Sequence, residues 1–224
     1  MGNEAILREY RARLETLLHR ITILMLASAA GLLLATTLYY LETRDKSVLP
    51  VILALAVLTP IDLAVTRAIL SANIEERLRT ARCILEKIPT GETELAGASV
   101  LPEGTLLVAW RTPNGRILAA AIPNAKTIFY AVITPLSQRG EPVKPGLLAK
   151  LRTQYLGAPL RARLSRGERI YGGCRVSRWR GLTTIILPSA PNRFTLYPRA
   201  HVEWARISCP MGNPCEAIME ALPS

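Results

Sequence analysis

His201 and Glu203 stand two residues apart in HVEWARI (201–207), and a strand would place both on one face. An imidazole beside a carboxylate is the arrangement of a general base and the group that orients it. Little else converges there. The other histidine is His19, and the chain's two aspartates, Asp45 and Asp62, both precede residue 63. A Ser–His–Asp triad therefore has no aspartate to draw on in the C-terminal part. Carboxylate sites for Mg²⁺ or Ca²⁺ lose a common ligand for the same reason, and no metal or other cofactor is expected. Neither GxxxxGK[ST] nor GxGxxG occurs, so no phosphate-cradling loop is signalled. A surface or hydrogen-bonded structural histidine is the simpler reading of His201.

The four cysteines are Cys83, Cys174, Cys209 and Cys215. A zinc site built from thiolates normally shows close CxxC pairs, and none is present. Two readings remain. The thiols are free, as a reducing compartment favours, or Cys209 and Cys215 close the CPMGNPC loop as a disulfide.

The densest chemistry is positive. RARLSRGERIYGGCRVSRWRG (161–181) carries Arg161, Arg163, Arg166, Arg169, Arg175, Arg178 and Arg180 against Glu168 alone. A solvated basic surface is the plain reading of such a run. Guanidinium forks also suit phosphate and carboxylate oxygens, which makes an anionic membrane surface or an acidic partner protein the expected counterpart. Trp179 and Tyr171 offer bases a stacking platform, so RNA or a ribosomal surface is the alternative. The scarcity of aromatics and the lack of an RNP or GXXG pattern weigh against it.

Positioning these residues falls to two different kinds of segment. The mean hydropathy is positive although 20% of the chain is charged, because the apolar residues are concentrated near the N-terminus. ITILMLASAAGLLLATTLYYL (21–41) has no charge, and SVLPVILALAVLTPIDLAVTRAIL (47–70) is interrupted only by Asp62 and Arg67. About 20 such residues cross a hydrocarbon core. Asp62 and Arg67 are read either as a polar contact to another membrane subunit or as an ordinary pair at the membrane interface. Ala27 and Gly31, four apart, suit close helix approach. Arg8, Arg11, Arg13 and Arg20 precede the first span, and Arg77, Arg79, Arg82 and Lys87 follow the second; the turn has Arg44 and Lys46 offset by Glu42 and Asp45. The positive-inside rule places both termini in the cytoplasm of a two-span cell-membrane protein.

The expected organisation is an amphipathic cytoplasmic helix over 1–20, transmembrane helices over 21–41 and 48–70 joined by an external turn at 42–47, a stalk helix over 71–89, and a basic β-rich cytoplasmic domain over 90–224. The stalk stripes are Leu7, Tyr10, Leu14, Leu17 and Ile21 facing Ile74, Leu78, Ala81, Leu85 and Ile88, and Glu4–Arg8 and Glu9–Arg13 are spaced to pair on the first helix. In the β domain, strands are predicted over 105–110, 117–122, 127–134, 160–164, 169–176, 182–187, 193–197 and 201–207. Asn114-Gly115 is predicted to supply the positive φ angles of a hairpin turn, residues 137–146 an exposed loop, and 147–156 a short helix. The fold class is thus a membrane protein with a helical hairpin and stalk followed by a mostly-β (α+β) domain, a plan shared by many bacterial and archaeal proteins. The function it suggests is non-enzymatic docking, with a membrane-anchored enzyme using Cys or His201–Glu203 chemistry, or membrane-tethered RNA binding, as alternatives. The partners it implies are the bilayer and a protein partner or a homo-oligomer.

Overall fold

Both apolar runs lie inside long helices. In the computed structural model, which describes residues 2–88, 93–136, 140–143, 169–171, 173–190, 193–210, 214, 215 and 217, helix α1 spans Asn3–Thr43 and helix α2 spans Leu49–Lys87. Arg44 takes a left-handed conformation (φ 55°) and its N–H donates to the Tyr40 carbonyl at 2.8 Å. It fills the position after a helix where glycine usually stands. The Asp45 carboxylate then accepts the Ser47 N–H at 2.9 Å and caps the 3₁₀ turn Lys46–Val48 that leads into α2. Those hydrogen bonds hold the Asp45 carboxyl below the usual carboxylate range.

The chain divides into two compact units, residues 11–75 and residues 1–10 with 76–224. In the first, half-buried positions recur at Thr22, Met25, Ala29, Leu33, Thr36 and Tyr40 on α1, and at Ile52, Leu55, Thr59, Leu63, Thr66 and Leu70 on α2. They step by three, four and four, about 3.67 residues per turn, so the facing stripe runs nearly straight along each helix. Thr22, Thr36 and Thr59 on these stripes donate to the carbonyls of Leu18, Leu32 and Leu55, which satisfies each hydroxyl within its own helix. Ala27 and Gly31 are exposed, and nothing lies within 4 Å of where a Gly31 Cβ would stand. Within the hairpin the close approach is not made by that pair: half-buried Ala29 lies on the other side of the helix, about 160° from each of them. Arg11 bonds Glu15 at 2.9 Å and Glu75 at 3.2 Å. Glu4–Arg8 and Glu9–Arg13, the pairs anticipated from spacing, are not formed.

In the second unit, Ile6, Leu7 and Tyr10, then Ala81, Ile84 and Leu85 from α2, and Ile88 just beyond it are buried. Asn3 Nδ2 donates to the Leu85 carbonyl at 3.1 Å, tying the start of α1 to the end of α2. Among the described residues the sheet has eight strands: β1 (Glu94–Val100), β2 (Leu106–Arg111), β3 (Ile117–Asn124), β4 (Thr127–Pro135), β5 (Glu141–Pro142), β6 (Arg169–Tyr171), β7 (Cys174–Ala190) and β8 (Arg193–Ser208). Their order is β1-β2-β3-β4-β8-β7-β6, antiparallel throughout, with β5 on β8. Strand β1 and the short β5, inside the anticipated loop, had no counterpart in the sequence reading. The segment read as one strand at 169–176 is a hairpin, because Gly173 (φ 80°) turns the chain between Tyr171 and Cys174. Conversely, 182–187 joins the preceding residues in one long strand, as do 193–197 and 201–207. The helix predicted at 147–156 and the strand at 160–164 lie outside the described residues.

The turn between β2 and β3 also differs in type. Of its residues only Gly115 has positive φ (74°), and Gly115 N–H donates to Thr112 O while Thr112 N–H donates to Arg116 O. Pro113 pre-sets the first corner and Gly115 supplies the left-handed residue of a three-residue loop, so Asn114 needs no positive φ.

One sheet face holds Ala109, Ala119, Ala121 and Ala131 along β2–β4. Past an irregularity between Thr183 and Ile185, the ends of β7 and β8 bend over this face. Leu187 and Tyr197 join Ala109, Ile117 and Trp204 in one cluster, and Ile186 and Phe194 join Leu107 and Ala121 in another. Small alanines below leave room for the large residues above. Lys126 Nζ pairs with Glu76 at 3.0 Å, and Cys83 is bonded to Cys215, so α2 is tied to the turn between β3 and β4 by a charge pair and to the C-terminal segment by a covalent link.

Candidate functional site

Strand alternation decides where the arginines of β7 stand. Arg175 follows buried Cys174 and precedes buried Val176. It shares its side of the sheet with Arg206, which lies 5.9 Å over the Phe129 ring. Arg178 and Arg180 point to the other side, where Arg180 stands opposite Glu203 and Leu182 opposite His201. The basic stretch therefore does not form one face, because a period of two splits it. Arg161, Arg163 and Arg166 lie outside the described residues. Arg169 pairs with Val176, Tyr171 with Cys174 and Trp179 with Trp204 in backbone register.

His201 and Glu203 do share a face, and both are exposed. Their neighbours are Arg180, Arg178, half-buried Val132 and Leu182, whose side chain is 56% exposed. The result is an open strip of two guanidiniums, one carboxylate, one imidazole and an apolar side chain. Among the described residues these side chains stand in the open, whereas a general base needs a cleft that holds its substrate against the imidazole. The strip has the mixed apolar and cationic character of a docking surface. Leu182 escaped notice in the sequence, although its spacing of two and four from Arg180 and Arg178 is the signal that groups them.

The cysteines pair as Cys83–Cys215 and Cys174–Cys209. This corrects both cysteine readings, the free thiols and the Cys209–Cys215 bridge. Cys209 follows β8, whose last residue, Ser208, stands beside β7, so its nearest cysteine is the one that opens β7 rather than the one downstream. No cluster of metal-ligating side chains occurs among the described residues.

An apolar cavity of about 50 Å³ lies under the bent arm, lined by residues including Leu107, Ala121, Phe129, Ile186, Leu187 and Trp204. It is partly open and its lining is largely apolar, so it offers little to polar chemistry. Beside it, burial pushes the Tyr130 phenol up to about 12. Burial likewise raises Tyr10, opposed by the positive charge of Arg77. No protein-family model, curated protein or solved structure matches this chain.

Proposed function

We propose that this is a non-enzymatic membrane-anchored protein whose hairpin spans the bilayer and whose β domain docks on the anionic headgroup layer. The observation that carries the docking is the open strip on β7 and β8, where exposed Leu182 continues the line of Arg178 and Arg180. An apolar side chain enters the interface while guanidiniums meet lipid phosphates, each basic residue near such a surface contributing about 1 kcal/mol. The anchor is supported by two helices long and apolar enough to cross a membrane, with no buried residue in the most apolar window of either.

The basic flanks favour both termini on the cytoplasmic side. The two cystines pull the other way, since disulfides persist in oxidising compartments and, among cytosolic proteins, chiefly in hyperthermophiles. The reading with cytoplasmic termini is tested by Ser47→Cys, which places a thiol in the exposed turn, with an impermeant maleimide on intact cells. Labelling before lysis supports it, and labelling only after lysis inverts the topology. Docking is tested on the full chain in lipid nanodiscs by hydrogen exchange. Amides of 178–182 are expected to exchange more slowly in anionic than in neutral discs, and the difference should vanish in Arg178→Glu/Arg180→Glu. Equal exchange in both lipids would sink the docking.

A further inference from the structure

The hairpin carries two charges where lipid would otherwise be its only neighbour. Asp62 and Arg67 are exposed on α2, and neither side chain has a hydrogen bond or ion pair among the described residues. Asp62 lies eight residues from Leu70, about 12 Å at a rise of about 1.5 Å per residue. If the hairpin spans the bilayer, the short carboxylate cannot reach water from that depth, whereas the Arg67 stem can.

The buried stripe of α2 defines the direction towards α1. At about 100° per residue, Asp62 falls about 70° to one side of that stripe and Arg67 about 70° to the other. The two charges therefore stand on opposite flanks of one hairpin. A two-fold dimer joined through either flank sets Asp62 against Asp62 or Arg67 against Arg67, and one joined through the face away from α1 turns both charges about 110° from the partner. A rotational assembly joins unlike flanks, so the Asp62 flank of each copy meets the Arg67 flank of the next. The heights agree as well. Side chains of a helix lean towards its N-terminus, which brings an Arg67 guanidinium down one turn to the level of a neighbour's Asp62.

We infer that Asp62 and Arg67 are the two halves of a repeated contact between copies of this chain, which closes into a membrane ring of three or more hairpins. The inference rests on the membrane-spanning reading proposed above. Full-length protein is extracted in mild detergent and its copy number measured by light scattering. Three or more copies are expected. Asp62→Arg or Arg67→Asp alone should lower the multi-copy fraction about tenfold, and the double exchange should restore it to within about twofold. Asp62→Asn and Arg67→Gln serve where a reversed charge prevents insertion, and each should release single copies. A single-copy or strictly two-copy particle overturns the ring, as does a ring indifferent to both exchanges. Alkaline carbonate washing of the same membranes reads the anchor separately: extraction of the protein defeats the membrane reading, while retention of a single-copy particle defeats the ring alone.

Discussion

Tyr130 is buried to 5% exposure in β4, and its phenol titrates near 12 rather than the ordinary 10. A folded-state value raised above the unfolded one means that this contribution to stability is complete below pH 10 and is lost as pH rises through 12. Two units correspond to about 3 kcal/mol. Alkaline unfolding followed by circular dichroism should therefore steepen between these values, and Tyr130→Phe should flatten that part of the curve. Gly140 offers a second test. A Cβ there would run into Thr195 Cγ2 of β8 and stand 3.0 Å from the Tyr197 ring. Gly140→Ala is expected to lower stability by about 1–3 kcal/mol, read as a drop in thermal midpoint.

The longest strands, β7 and β8, are stapled at one end by Cys174–Cys209, while α2 is stapled to the C-terminal segment by Cys83–Cys215. These bonds close separations of 35 and 132 residues. On a chain-entropy account the shorter loop contributes about 4 kcal/mol and the longer about 5 kcal/mol. Peptide mapping without reductant should recover these two pairings and no Cys209–Cys215 peptide. Cys215→Ser should cost at least as much stability in denaturant as Cys209→Ser. The reverse order would show that the longer link closes onto structure already present in the unfolded chain.

Net charge is +11 over 224 residues, yet the described arginines of β7 and β8 do not share one surface. Arg175 and Arg206 occupy one side of the sheet, and Arg178 and Arg180 the other. Docking through the second pair alone implies a modest, salt-sensitive contact. Raising ionic strength from 0.1 to 1 M shortens the screening length from about 10 to about 3 Å. The slow exchange expected for residues 178–182 in anionic nanodiscs should weaken accordingly, while buried residues of the bent arm itself, such as Ile186 and Phe194, keep theirs. Uniform loss at all of these positions would point to unfolding instead of release.

Periodicity and length made much of this molecule readable in advance. Uninterrupted apolar runs could only become long helices, and short β-branched runs between Pro and Gly could only become strands, since both outcomes depend on neighbours within a few positions. The same locality grouped His201 with Glu203. Three features depended on residues far apart in the chain. The pairing of Cys174 with Cys209 follows from β7 lying beside β8. The splitting of the arginines between two faces needed one strand to run unbroken from Cys174 past Arg180, which its pairing with β8 provides. The opposite flanks of Asp62 and Arg67 needed the direction of the stripe that faces α1. Register and facing direction are relations between segments, and no single segment contains them.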